Sequence, residues 1–248
     1  MRGLLERFAT FYSTPRHFLL TGSIAYFTLM VAVRTRPSVF GAVITLAVLS
    51  ISWRVSETSA SERLPAAALL VVVSLSGIFN DFRLTGVVLA VALMSTPLIA
   101  ATGNQRKRRL LRQALTMTVA WLPASLTGAS LTILMYRESS YVGLLVSLIY
   151  IHDVGLGLGM RDRAHRHFAP VLGITGAVAL LWTSVQISAT PIPPEWFLPF
   201  AALVATAIPL GRVALILVCA EAGHDLKQFS SYFLITPLWV LAINVSAI

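Results

Sequence analysis

The sequence predicts an all-α fold: a polytopic transmembrane bundle of about nine spans with its N-terminus in the cytoplasm. Three observations carry this. First, 56% of the 248 residues are apolar and only 12% are charged, about half the charged fraction of an ordinary soluble domain. A soluble domain of this length has too little interior to hide so much apolar surface, and a disordered chain has too little apolar surface to reach this composition. Second, the apolar residues fall in nine separated runs. Third, the basic residues sort to alternate ends of those runs.

The runs are Phe18–Val33, Ser38–Trp53, Pro65–Phe79, Leu84–Ala100, Ala114–Met135, Tyr141–Met160, Ala169–Ala189, Phe197–Ala220 and Ser230–Ile248. A helical span needs roughly 20 apolar residues, somewhat fewer at the short end. The first three are short, and a short span crosses with little tilt or thins the bilayer around it. None alternates as a barrel strand does, so the spans are helices. With the N-terminus inside, fourteen Lys and Arg fall on the cytoplasmic side and four on the outer side: Arg34, Arg36, Arg83 and Arg137. The nineteenth, Arg212, lies within a run. That asymmetry obeys the positive-inside rule and places the C-terminus outside. The expected location is the inner, cytoplasmic membrane.

Residues 1–16 are expected to form a separate element ahead of a single transmembrane domain, 17–248. Leu4, Leu5, Phe8, Phe11 and Tyr12 make one helical stripe, with Arg2, Glu6 and Arg7 off it. Pro15 ends it, so an amphipathic helix lying on the interface is expected. The alternative is a frayed terminus.

The net charge of +9 sits at span ends, so it calls for no nucleic acid. Arg106, Lys107, Arg108, Arg109 and Arg112 form the densest basic stretch. It reads either as a topology anchor or as a contact for anionic lipid headgroups or a nucleotide phosphate, each base near such a surface contributing about 1 kcal/mol. The single cysteine, Cys219, excludes a disulfide framework and lies in an apolar run, where a buried packing residue is expected.

Ionisable groups inside apolar runs are costly and mark function or pairing. There are three: His152, Asp153 and Arg212. The two runs that hold them both descend from outside to inside. Asp153 and Arg212 therefore lie at a similar depth, some 10–12 Å above the cytoplasmic edge at about 1.5 Å per residue. Pairing would relieve both. The pair reads as an anion or metal site, or as a structural clamp between two helices. Gly155 and Gly159 make a small-xxx-small face suited to close helix packing.

Asp162, His165 and His167 stand among Arg161, Arg163 and Arg166, whose charge opposes metal binding, so a solvated loop is expected. Glu221 and Asp225 share a face only if the helix continues past Gly223. No nucleophile triad, phosphate-binding Gly-Lys-Ser/Thr loop or His-Glu-x-x-His is present. No metal or cofactor is expected.

The stretch Arg112–Pro170 resembles the middle of the phosphatidate cytidylyltransferase (CDP-diacylglycerol synthase) family. There an apolar run ends in Asn-Asp-Thr-Gly; here Leu144–Gly155 ends Tyr150-Ile151-His152-Asp153-Val154-Gly155. Gly157, Gly159, His167, Ala169 and Pro170 stand in the order of the family's following stretch, and Leu210-Gly211-Arg212 resembles its Leu-Gly-Asp. The resemblance implies a metal-dependent site for CTP in which Asp153 matches one metal-binding acid. Arg212 stands at the second acid and reverses its charge. The family's Ser-Pro-Lys-Lys-Thr-Trp stretch and closing His-Gly-Gly are missing. Phosphoryl transfer rests on positioning and charge neutralisation by metals. A non-catalytic relative is therefore expected, acting as a subunit or lipid-binding partner in a membrane complex, with membrane lipids and a protein partner or second copy as its contacts. Two alternatives remain: a carrier of a small anionic solute, suggested by Pro191-Ile192-Pro193-Pro194 and a span interrupted at Pro209, and an active, divergent lipid nucleotidyltransferase.

Overall fold

The structure is a computed structural model, and it describes residues 17–55, 60–101, 107–160, 166–222 and 229–246. The expected interfacial helix over 1–16 lies outside those residues. Among the described residues there are nine α-helices and no strand. They are α1 (His17–Ala32), α2 (Pro37–Val55), α3 (Ala60–Ser76), α4 (Phe82–Ala101), α5 (Lys107–Arg137), α6 (Ser139–Gly159), α7 (Ala169–Gln186), α8 (Phe197–Ala222) and α9 (Ile235–Ser246). Six of them, α2 and α4 to α8, are long and apolar enough to cross a membrane. The apolar parts of α1, α3 and α9 are shorter.

Helix α5 is the axis of the bundle. Its apolar window is 83% buried, against 22% for α4. It packs against α2, α3, α4, α6, α8 and α9. Small residues let the neighbours close on it: a side chain at Gly128 would collide with Ser74 of α3, and one at Gly41 of α2 would meet Thr132 at 2.7 Å. Buried polar side chains then find partners between helices, as groups withdrawn from water must. Ser52 of α2 donates to the Ala120 carbonyl at 2.5 Å, Trp121 donates to Thr96 of α4 at 3.2 Å, and Thr45 and Ser74 share a bond of 2.7 Å. Between α3 and α4, Asn80 takes a left-handed turn at φ 52°, and Asp81 caps α4 by accepting the Arg83 and Leu84 amides.

On the other flank α6 and α7 form a close antiparallel hairpin. Gly155 opposes Gly173, where a Cβ would stand 2.8 Å from the facing backbone, and Gly159 opposes Ala169 at 2.5 Å. The expected close-packing role of this glycine face is what the structure shows. Helix α1 lies against the outside of α6, with Tyr26 stacked on Tyr150 at 4.4 Å and Ser23 bonded to the Tyr150 hydroxyl.

Two expectations need correction. The last apolar run is not a helix from its start. Residues Ser230 to Leu234 form turns, and α9 begins at Ile235. Pro237 supplies no amide, which suits the first turn of a helix, and Ser231 engages side chains instead of extending it. Pro209 also does not interrupt its span: α8 runs unbroken from Phe197 to Ala222 with Pro209 inside.

Candidate functional site

The site lies where α6, α8 and the turn before α9 meet. Asp153 is six residues short of the end of α6, and Arg212 ten short of the end of α8. The long arginine side chain spans that offset, and its Nη1 donates to Asp153 Oδ1 at 3.2 Å. The two charges that stood out in the apolar runs therefore pair.

Two further groups complete the cluster. Arg212 Nη1 also donates to Ser231 Oγ at 2.7 Å, and Ser231 Oγ donates onward to Asp153 Oδ1 at 2.9 Å. His152 Nδ1 lies 3.1 Å from the same Oδ1. An ionised carboxylate only accepts, so Nδ1 carries the hydrogen in that state. Three donors thus converge on one carboxylate oxygen. Arg212 and His152 are 0% exposed and Ser231 1%, whereas a third of the Asp153 side chain is accessible. Of these four side chains, Asp153 alone faces open space.

The backbone explains how these groups reach one another. Gly173 of α7 lies under His152, where a Cβ would stand 2.7 Å from the His152 carbonyl, so only a glycine lets α7 close there. Gly211 does the same for the turn: a Cβ would meet that of Leu234 at 2.7 Å. Phe229, Ser230 and Ser231 are buried although they are not α-helical. Irregular backbone at such depth is tolerated where protein surrounds it. Phe200 of α8 meets Trp239 of α9 edge-on at 4.8 Å and holds the far side of this junction.

Ser231 was not visible as a site residue from sequence. It opens an apolar run and reads as its polar edge. The signal was there in retrospect: a Ser-Ser pair, then a proline six residues after the second serine.

The other candidates lie apart. Lys107, Arg108 and Arg109 begin α5, and Arg106 lies outside the described residues. His167 is in a 3-10 turn, Arg166–Phe168, ahead of α7, its ring 4.1 Å from that of Phe168. Asp162, His165, His224 and Asp225 lie outside the described residues, and Glu221 is in the last turn of α8. Cys219 is buried in the core, as expected. Among the described residues no three His, Cys, Asp or Glu side chains gather as metal ligands would. A small crevice lies between α2, α3 and α5, lined by Trp53, Arg63, Leu70 and Ala120 among others.

No family model, no curated protein and no solved structure matches this chain. The reading of function therefore rests on the residues and their geometry.

Proposed function

We propose that the protein is a non-catalytic, multi-pass inner-membrane protein built on a phosphatidate cytidylyltransferase-like plan. In this reading all nine helices enter the bilayer, the N-terminus is cytoplasmic, and the site opens toward the cytoplasmic half. There it binds the headgroup of an anionic lipid, as a subunit or lipid-binding partner of a membrane complex.

One observation carries the reading: the Arg212 guanidinium donates to Asp153. The resemblance sets these two positions at a metal centre, and their adjacency supports it. Yet a divalent cation needs free carboxylate oxygens in number. Here one acid faces a fixed positive charge, and Asp153 Oδ1 is already engaged by Arg212, Ser231 and His152. A guanidinium takes the place a cation would hold, which favours recognition of an anion over activation of a nucleotide. The test is a radiolabelled CTP assay with phosphatidic acid and magnesium on purified protein. No CTP-dependent product is expected. Turnover that disappears in Asp153→Asn contradicts the reading. Lipids that co-purify from native membrane, read by mass spectrometry, would identify the headgroup.

The buried irregular stretch ahead of α9 favours a second reading, a carrier of a small anionic solute. Broken helices beside ionisable residues suit transport. Uptake of an anion by proteoliposomes separates the two.

A further inference from the structure

The pairing poses a problem for any anion at Arg212, because Asp153 already neutralises it. Resting on the anion-binding reading above, we propose that anion capture at Arg212 is coupled to the uptake of one proton by Asp153. The coupling follows from what each group touches. Arg212 is fully buried, and Asp153 is the member of the cluster that faces open space. A ligand arriving from that side meets the carboxylate first. While ionised, Asp153 both repels an oxyanion and holds the guanidinium that would bind it. Once protonated it carries no charge and no longer balances the guanidinium, which then attracts a phosphate-type oxyanion whose two-oxygen edge matches it.

Four other groups face Asp153. From α6 comes His152, from α8 Arg212, and from the turn before α9 Ser231 and Tyr232. Helix α7 presents Gly173 beside His152 and carries no ionisable side chain along its length. Ser231 accepts from Arg212 and donates to Asp153, so it can turn its hydrogen toward a ligand oxygen when the carboxylate swings away. Binding a singly charged anion such as a phosphodiester together with one proton leaves the buried site with the same net charge before and after, which a low-dielectric interior favours.

The experiment uses full-length protein in neutral detergent. It is titrated calorimetrically with inorganic sulfate and, separately, with dioctanoyl phosphatidylglycerol, between about pH 5 and pH 8. Neither probe changes its charge in that range. Paired buffers of different ionisation heat count the protons taken up. Expected is about one proton per ligand and an affinity that falls about tenfold per pH unit while Asp153 is ionised. The infrared difference spectrum of the wild-type protein should gain the carbonyl band of a protonated carboxylic acid on ligand addition. Asp153→Asn should bind with no proton uptake and with an affinity independent of pH. Binding of the lipid alone assigns a headgroup; binding of sulfate as well assigns a free oxyanion. Wild-type binding with no proton uptake, or without the carboxylic acid band, overturns the coupling and leaves the anion reading standing. Proton uptake that persists in Asp153→Asn overturns the assignment to Asp153. Absence of binding by both proteins at every pH overturns the anion reading itself.

Discussion

Ser231 is the residue whose role is least apparent from its type and most from its position. A serine beside a salt bridge at a water-exposed surface contributes little. Here it is 1% exposed and relays between Arg212 and Asp153, so both of its bonds are to charged groups. Hydrogen bonding to charged groups contributes about 1.5–3 kcal/mol net, and a buried partner left unsatisfied carries a desolvation cost. Ser231→Ala is expected to lower stability by about 2 kcal/mol. Ser231→Thr, which keeps the hydroxyl, should lose less. Thermal unfolding of the three proteins in one detergent measures the difference. Equal stability of Ser231→Ala and wild type would show that the hydroxyl bridges nothing of consequence. The charged members of the cluster were legible in the sequence because charge is rare in an apolar run. The serine was not, because hydroxyls in helices commonly bond to their own backbone, as Thr132 and Thr206 do here. Only the Ser-Ser pair and the proline six residues beyond it set this serine apart.

At the scale of elements, the helices follow from run length and their boundaries from punctuation. The pairing of α6 with α7 was foreshadowed by Gly155 and Gly159, but Gly173, which faces Gly155 and supports His152, carries no such signal on its own. Close approach is a property of two helices, and one sequence run shows only half of it. Gly173→Val is expected to push α7 away from the His152 carbonyl, since even a Cβ there has 2.7 Å of room. Overpacking of this kind costs about 1–3 kcal/mol. The helix that follows residues Ser230 to Leu234 is a different case. Its apolar run is long enough to read as one span, yet the first residues fold as turns against Gly211. Tertiary contact, not local propensity, decides that stretch. Gly211→Ala should therefore displace Leu234 and Ser231 with it, and lower the melting temperature while α8 itself, helped by alanine, stays intact by circular dichroism. Loss of helix in this variant without loss of the turn would invert the explanation.

For the whole molecule, composition and charge placement carry most of what could be read in advance: helices, membrane and a plan of nine apolar runs. The proposed orientation rests on the split of basic residues; it predicts that a phosphatase domain fused after Ile248 is active outside the cell membrane and one fused after Arg109 is not. The reverse pattern would place the site at the outer face. A long-range ion pair joins the plan to the site. Helix α6 belongs to the hairpin with α7, while α8 packs on α7, α9 and the axial α5. Asp153 and Arg212 add a charged tie between α6 and α8 to that packing. Neutralising either one strands the other charge in the interior, at a cost of about 3–5 kcal/mol. The central claim is that they act as one unit, and a double-mutant cycle tests it most directly. Asp153→Asn, Arg212→Gln and the double variant are compared with wild type by reversible unfolding in detergent. The account predicts that the double variant loses clearly less than the two single losses added, because no orphaned charge remains. A double variant that loses their full sum would contradict it, and the two residues would then be independent.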